Sequence, residues 1–504
     1  MTSPKKLISI LAVSFILGPI LVACQMISPG PGPDVIRQTV IVTSAGGTAE
    51  IVQVVTPTPE PQGERTLVIC DGQEPGSLYW YGTNELAATQ IWEAIYDGAS
   101  TGGYDANSFA YQPVILEKQP SLADGDAVIN PVAVAPGDTV VGDAGEPVTL
   151  EAGGMVRPAG CRSSDCAIEY DGSSDLEMDQ FVVTFSILPG IAWSDGEPVT
   201  AGDSVYSFNL NADPDTPAPS RLLVERTAAY EALDDATAQW TGLPGYIDAT
   251  YFINFWQPLP EHAWGQFTAA ELVEAEEASR APLGFGPYVI DEWTSGDNIT
   301  LHKNPNYFRA DEGLPKFENL VYRFVGENSN ANIAAVLAGE CDIVDQTSHL
   351  DDQSELLLEL QGSGQVNATF VTGTVWEHAD FNIQPLGASG DYFAAWDTDG
   401  DGFGPFGDQR LREAVLACMD RQSVVDTVMF GQSVVLDTYL PPQHPLFNAD
   451  ARHVDFDPAA GAALLDEIGW VDDDGDPATA RVASGVTGVP DGTLLEFALE
   501  TTEA

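Results

Sequence analysis

The stretch FVVTFSILPGIAWSDGEPVTAGDSVYSF, residues 181–208, holds a strand pattern, a turn pattern and a helix start in immediate succession. Trp193-Ser194-Asp195-Gly196 has the composition of a turn. Thr200 can cap the next helix with Asp203 three residues later, as in a capping box with a shorter acid. The residues before the turn alternate apolar with polar as a half-buried strand does, with apolar Phe181, Val183, Phe185 and Ile187. This stretch predicts a strand, a tight turn and a helix within a mixed α/β fold.

Further segments with clear start and stop residues lie on both sides of this unit. Apolar runs bounded by glycine, proline and acidic caps predict further strands and helices in an irregular order. The predicted elements are a strand at 66–70, a helix at 86–95 stopped by Gly98, a hairpin at 289–302, a strand at 317–325, and helices at 332–337, from Asp408 to Gly431, and from Asp457 to Gly469.

The composition excludes several functions. The 504 residues carry 76 Asp and Glu against 19 Lys and Arg, which gives a formal net charge of -57. Such a chain repels phosphate backbones and acidic membranes, so no nucleic-acid partner is expected. The 44% of hydrophobic residues and ten Trp supply the burial that disordered chains lack. About three folding units are expected at roughly 150 residues each.

The first 23 residues have the pattern of a secretory signal peptide. Lys5 and Lys6 precede an apolar stretch, Leu7–Ile20, which is short for a membrane span. Leu21-Val22-Ala23-Cys24 then resembles the lipobox of bacterial lipoproteins, which predicts cleavage before Cys24 and a lipid on its thiol. The alternative is an uncleaved helix with a chance cysteine. The prediction places the protein outside the cytoplasm, anchored to the cell membrane (periplasmic or cell-surface) by one lipidated terminus.

Residues 24–64 form a segment rich in Pro, Gly, Thr and Val. This composition predicts a flexible tether, because it buries too little apolar surface to fold. The alternative is a small ordered strand within the Val-rich Val35–Val55. The folded body is predicted to begin near Arg65.

Taken in order, the segments resemble the extracellular solute-binding proteins of peptide-type ABC importers, the dipeptide, oligopeptide and nickel binders (family 5). The matching stretches, each weak alone, are Glu74-Pro75 with Ser77-Leu78, Ile91 to Gly98, Phe185 to Val205, Gly284 to Tyr307, Ala338 to Asp342, Leu411 to Arg421, Leu440-Pro441-Pro442 and Asp457 to Trp470. The resemblance implies a two-lobed α/β fold of the periplasmic-binding-protein type (type II, with an extra subdomain). It places the first lobe at 65–340, with an insertion at about 119–178, and an incomplete, C-terminally truncated second lobe at 341–504.

The resemblance also implies a function without covalent chemistry. A lipid-anchored, monomeric protein would capture a peptide, a nickel chelate or an oligosaccharide between its lobes and deliver it to ABC permease subunits. The candidate ligand-binding residues follow the Glu74-Pro75 turn or lie in a segment resembling the family's cleft-facing strand: Ser77, Tyr79 and Trp80, and Trp376, His378 and Asn382. The alternative for each aromatic residue is packing in the core.

The patterns of an enzyme are weak. Gly98-Ala99-Ser100-Thr101-Gly102 matches a nucleophile elbow, but it follows a predicted helix where the mechanism needs a strand. The six His have no metal-ligand spacing. An anchored extracytoplasmic hydrolase stays the alternative, because 76 acidic residues make every carboxylate pairing available. The chain is predicted not to be an enzyme and to need no cofactor.

One acidic loop resembles the start of a calcium site. Asp397, Asp399 and Asp401 alternate before Gly402, and Asp408 stands at the twelfth position. Alternate carboxylates around a glycine turn can wrap oxygens round a hard cation. The alternative is a solvated acidic turn, with Asp408 acting as a helix cap, so structural calcium is a candidate here.

Five cysteines remain besides Cys24. Cys161 and Cys166 are close enough to form a disulfide inside the insertion in an oxidising compartment. The pairing of Cys70 and Cys341 stays open, while Cys418 is predicted to be buried on a helix face and inert.

Overall fold

The computed structural model divides the chain into two compact units, Met1–Arg65 and Thr66–Ala504. Within them it describes the backbone of 37–43 and 49–55, and residues 64–97, 103–105, 108–172, 176–371, 373, 376–383, 404–476 and 478–497.

The first unit contains a β-hairpin. Strand β1 (Arg37–Thr43) pairs antiparallel with β2 (Ala49–Val55), with Arg37 opposite Val55. These strands lie within Val35–Val55, the part of 24–64 for which an ordered strand is the alternative to a flexible tether, and the tether stays a prediction for the segment. Val, Ile and Thr are the residues that fit a pleated strand best, which explains the pairing. The predicted signal peptide and Cys24 lie outside the described residues.

A mixed sheet organises the start of the second unit. Its order is β14-β15-β16-β3-β17, and the strands are β3 (Thr66–Asp71), β14 (Tyr288–Thr294), β15 (Asn298–Lys303), β16 (Asn319–Phe324) and β17 (Ile343–Val344). The predicted hairpin at 289–302 is confirmed as β14 and β15. Strand β3 runs parallel to both β16 and β17. Because β17 belongs to this sheet, the sheet continues past residue 340, where the first lobe was predicted to end.

A second, antiparallel sheet contains the strand that begins the stretch at 181–208. Its order is β12-β13-β11-β6, with β6 (Ala127–Val134), β11 (Leu176–Ser186), β12 (Thr227–Asp234) and β13 (Thr237–Gly242). Strand β6, from the predicted insertion, pairs along β11 from Val134 opposite Leu176 to Ala127 opposite Val183. The segment 119–178 thus supplies an edge strand to this sheet.

Short strand pairs complete the β structure of the described part of the chain. They are β4 (Tyr104–Asp105) with β5 (Ala110–Tyr111), β7 (Thr139–Val141) with β8 (Pro147–Thr149), β9 (Met155–Val156) with β10 (Ile168–Glu169), and β18 (Trp470–Val471) with β19 (Val482–Ala483).

The helices predicted at 86–95, after Thr200, at 332–337 and from Asp457 to Gly469 are present, whereas the nine-residue helix at 354–362 was not predicted. The capping box is present before the second helix, where the Thr200 amide donates to the Asp203 carboxylate at 2.8 Å. The helices are α1 (Leu86–Tyr96), α2 (Ala201–Ala212), α3 (Leu222–Glu225), α4 (Glu261–Trp264), α5 (Ala269–Leu272), α6 (Glu276–Ser279), α7 (Ser329–Ala338), α8 (Ser354–Gly362), α9 (Gln409–Ala417), α10 (Arg421–Thr427) and α11 (Pro458–Ile468). None of the described helices combines the length and the apolar character that crossing a membrane requires.

The helical face predicted between Asp408 and Gly431 is partly wrong. The apolar spacing predicts that Leu411, Cys418, Val424 and Val428 face the core. Leu411 is buried, but Cys418 is exposed and Val424 and Val428 keep 55% and 63% of their surface. The chain forms two short helices here, α9 and α10, instead of one continuous helix. A break of three residues changes the phase of the apolar positions, so a single 3.6-residue period no longer predicts which side is buried.

The main core lies between the two large sheets and α1. Its fully buried side chains include Phe181, Phe185, Trp193 and Trp240, so the stretch at 181–208 supplies a large part of it. A separate apolar cluster surrounds Leu411 and Trp470 in the second half of the chain.

Arg226 ties the insertion to the main body. Its side chain is almost buried, and Nη2 donates to the Gly145 carbonyl and the Glu146 carboxylate, each at 2.9 Å. Nη1 also donates to the Leu222 carbonyl at 3.2 Å. The Glu146 side chain, in contrast, is 70% exposed.

We therefore expect Arg226→Met to lower the free energy of unfolding by about 2–3 kcal/mol, because it leaves the Gly145 and Leu222 carbonyls without this donor in partly buried contacts. Glu146→Gln should cost less than about 1 kcal/mol, because an exposed carboxylate contributes little to an ion pair. Urea denaturation of both variants measures the difference. Equal losses would contradict the role given to the carbonyl contacts.

Candidate functional site: the carboxyl edge of the mixed sheet

Three loops meet at one edge of the mixed sheet. Strands β3, β16 and β17 run parallel, so the residues that follow them, from Gly72, Val325 and Asp345 onward, emerge at the same edge. The Val325 amide donates to the Asp71 carbonyl at 2.9 Å, and the Asp345 amide donates to the Cys70 carbonyl at 3.1 Å. Open α/β sheets bind their ligands outside the carboxyl ends of parallel strands. This edge is therefore the candidate solute-binding wall of the first lobe.

Gly72 allows the loops after β3 and β17 to approach closely. Its amide donates to the Thr347 hydroxyl at 2.7 Å. A Cβ atom at this position would collide with the Thr347 carbonyl and would lie 2.8 Å from the Ser348 Cα. Only glycine leaves room for this backbone contact.

Polar side chains on the same edge are exposed to solvent. The Gln73 amide donates to the Glu327 carboxylate at 2.7 Å, and His349 lies 3.8 Å from the other oxygen of Glu327. Together they offer an amide, a carboxylate and an imidazole, which can bind the main-chain groups of a solute. Sequence reasoning missed these residues, although Gln73 and Glu327 each follow closely after a predicted strand; His349 follows β17, which the sequence did not predict.

The first predicted ligand group follows β3 but faces mostly inward. Tyr79 has no exposed surface and packs edge-on against Trp264 with ring centroids 6.0 Å apart. Trp80 is half-buried, and its ring lies 4.8 Å from that of Trp92. Ser77 is half-buried, and its hydroxyl accepts from the Tyr79 amide at 3.1 Å. The predicted ligand role of Tyr79 is corrected here, because its side chain has no surface to offer a solute in this conformation.

The second predicted ligand group is open to solvent. Trp376 is 42% exposed and its ring lies 4.1 Å from that of His378. The His378 imidazole is 3.1 Å from the Asp380 carboxylate, and Asn382 is exposed. No hydrogen bond or ring contact between described residues joins this group to Ser77, Tyr79 or Trp80.

The calcium prediction rests mainly on residues that lie outside the described part of the chain. Asp397, Asp399 and Asp401 lie in the segment 384–403, which the structure does not describe. The Ser100 pattern lies in 98–102, which is also outside the described residues. Asp408 caps α9 through the Arg410 amide at 2.9 Å and pairs with the Arg410 guanidinium at 2.7 Å, which lowers the pKa of the Asp408 carboxyl. Within the described ranges, no three His, Cys, Asp or Glu side chains are grouped as a metal site. Calcium at this loop stays a prediction.

The cysteine pairing is decided by the fold. Cys161 and Cys166 form the predicted disulfide, with Cα atoms 5.7 Å apart. Cys70, in β3, pairs with Cys341, which precedes β17, with Cα atoms 5.9 Å apart. The second bond fixes the start of β17 beside β3, directly behind the candidate wall.

Comparison with known families agrees with this geometry. Residues 172–497 match the model of the bacterial extracellular solute-binding proteins, family 5, middle region. The match confirms the resemblance predicted from the sequence.

Two relatives of this chain have names that refer to peptides. The oligopeptide-binding protein AppA of Bacillus subtilis is 24% identical over 297 residues, which are 58% of this chain and 49% of the relative. The di/tripeptide-binding protein 1 of Pseudomonas aeruginosa is 22% identical over 318 residues, which are 59% of this chain and 54% of the relative. The chain spans about half the length of the curated relatives it matches.

A solved structure has the same fold. HbpA2 of Haemophilus parasuis superposes with a TM-score of 0.50 at 16% identity, over 80% of this chain and 66% of that protein. The chain has the mixed α/β fold of two-lobed periplasmic binding proteins, as predicted. With most of its length matched by the family model, this chain belongs to the bacterial extracellular solute-binding proteins of family 5.

Proposed function

We propose that this chain is the solute-binding component of an ABC importer, that it captures peptides, and that it hands them to permease subunits. The observation that carries the proposal is the convergence of three loops at the carboxyl edge of the parallel strands in a member of this family. The names of the relatives, which refer to oligopeptides and to di- or tripeptides, favour peptides over the nickel chelates and oligosaccharides that the sequence leaves open.

The family consists of binding proteins and not of enzymes, so the anchored hydrolase considered from the sequence loses its basis. Capture would need only a cleft that closes around the solute by hinge motion. Main-chain groups of a peptide can form hydrogen bonds with Gln73 and Glu327 on the candidate wall. Aromatic side chains such as Trp376 can pack against the side chains of the peptide without selecting strictly for one residue type.

We place the protein outside the cytoplasm, where the lipid predicted on Cys24 would hold it at the membrane surface. The lipobox at 21–24 and the charged and apolar pattern before it support this part of the proposal. Mass spectrometry of the protein purified from its membrane fraction would detect an acylated Cys24 at the mature terminus. An unmodified Cys24 at that terminus would contradict the anchor.

Peptide binding predicts a rise in thermal stability. The full chain, purified in detergent, should gain roughly 3–5 °C in melting temperature with a saturating mixture of peptides of two to nine residues. The gain follows because a ligand that binds only the folded state stabilises it by mass action. Free amino acids and a maltodextrin mixture serve as solute controls and should produce no shift. If only maltodextrin raised the melting temperature, the proposed solute would be an oligosaccharide and not a peptide.

Trp376→Ala should weaken the binding of a peptide from that mixture about tenfold, measured by calorimetry, because the exposed ring supplies apolar contact area. Leu222→Ala is the control: Leu222 is 58% exposed, lies on α3 and does not belong to the Trp376 group. Equal affinities of the two variants would remove Trp376 from the proposed site.

A further inference from the structure

A buried carboxyl group lies directly beneath the candidate wall. Asp71, the last residue of β3, has no exposed surface, and neither of its side-chain oxygens has a hydrogen-bond partner among the described residues. The hydroxyl of Ser348, in the turn that follows β17, is equally buried and also lacks a partner. Proteins normally pair such groups, because an unpaired buried charge is far more costly than an unpaired neutral group.

The surroundings of Asp71 offer it no positive charge. Asp345 lies nearby on the turn after β17, Tyr322 on β16, and Tyr288 and Glu93 face Tyr322 from β14 and α1. No Lys, Arg or His within the described part of the chain forms an ion pair with Asp71. Arg323, on the neighbouring strand, pairs with Glu340 instead.

Asp345 differs from Asp71 in its partners. Its side chain accepts from the Thr347 hydroxyl at 2.6 Å, from the Thr347 amide at 3.1 Å and from the Gln90 side chain. These bonds shape the turn 345–349, which lies against Gly72 and so against the end of β3. The turn therefore covers the Asp71 carboxyl group, which has no hydrogen-bond partner in the described ranges. The neighbouring Asp345 carboxyl group, in contrast, accepts three hydrogen bonds.

We propose that Asp71 is a proton-dependent latch: its neutral acid lets the turn 345–349 close over the end of β3, and loss of the proton opens the turn. An ionised Asp71 would be a buried negative charge beside Asp345, and opening the turn admits water to it. The proposal goes beyond solute capture and does not depend on which solute is bound. Its consequence is that the shape of the first-lobe wall follows the pH of the surroundings.

The electrostatics of the site agree with this geometry. Burial first, and the neighbouring Asp345 second, raise the pKa of Asp71 to about 8 from its ordinary value of 3.8. The folded state thus keeps a proton that the unfolded state releases near pH 4. The stability contributed by this proton is full below about pH 4 and is lost as the pH rises through about 8.

Hydrogen–deuterium exchange of the full chain tests the latch without any ligand. After correction for intrinsic rates, amides of 345–349 should lose roughly tenfold or more of their protection between pH 6 and pH 9, because local opening sets their exchange. In Asp71→Asn the protection should change less than about twofold over the same range. Asp342→Asn is the matched control: Asp342 is exposed and accepts from the Val68 amide at the other end of β3. It should keep the pH dependence of the original chain.

Three results would overturn the latch. The first is constant protection of 345–349 in the unaltered chain, and the second is an undiminished pH dependence in Asp71→Asn. Asp71→Ser provides a second neutral variant if Asp71→Asn does not fold, judged by circular dichroism. Failure of both neutral variants to fold is the third result, since the proposal requires the neutral side chain to fit. Peptide binding plays no part in these measurements, so their failure is distinguishable from failure of the proposed function.

Discussion

Replacing Cys70 and Cys341 together by alanine should lower the free energy of unfolding by about 5 kcal/mol. The disulfide spans 271 residues of sequence, and the entropy that a cross-link removes from the unfolded chain grows with the length of the loop it closes. A loss of this size is a large fraction of the 5–15 kcal/mol that typically separates folded from unfolded domains. We therefore expect the variant to unfold at much lower urea concentration.

The second disulfide provides the control for this prediction. Cys161 and Cys166 are only five residues apart, so the same model assigns their bond roughly 2 kcal/mol. Urea denaturation of the two double-alanine variants and of the oxidised original chain would measure both losses. Equal losses, or a larger loss for Cys161 and Cys166, would contradict the loop-length argument.

Gly286→Ala should destabilise the protein by about 3 kcal/mol or prevent folding. The Gly286 amide donates to the Ile95 carbonyl at 2.7 Å, at the end of α1. A Cβ atom there would lie 2.5 Å from the Ile95 carbonyl carbon and 2.7 Å from the Tyr96 nitrogen. Because both are backbone atoms, the helix end has to move, and Phe285 beside it would move within the core.

Gly362→Ala is a suitable comparison. Gly362 is the last residue of α8, its φ is not positive, and no atom lies within 4 Å of a Cβ placed on it. We expect a change of no more than about 0.5 kcal/mol, since alanine favours helices and nothing is displaced. Thermal unfolding of both variants checks the pair, and similar losses would show that the close approach at Gly286 is not what matters.

Local patterns predicted much of the secondary structure. The capping box of Thr200 and Asp203, the hairpin at 289–302 and the helix begun by Asp457 depend on residues three to fifteen positions apart. Their hydrogen bonds form within one segment, so the spacing of residue types is enough to identify them. The family resemblance rested on the order of such segments, and it too was readable from the sequence.

The candidate site was much less predictable. Tyr79 follows a turn in the same way as Trp80, yet the fold buries it completely against Trp264. Alternation of residue types shows which face of a strand is apolar, but it does not show how a loop folds back on the core. For the same reason the apolar face predicted across Cys418 failed once α9 and α10 proved to be separate helices.

The sequence by itself determined the mixed α/β class, the local helix caps, the strong acidity and the family. Only the tertiary structure decided that Cys70 bonds Cys341 and that β6 of the insertion lies along β11. It also decided that Asp71 is enclosed by a turn some 270 residues further along the chain. These contacts join residues that no local pattern connects. Which distant partners meet is settled by how the sheets and helices pack around a shared core, and that packing depends on all of the chain at once.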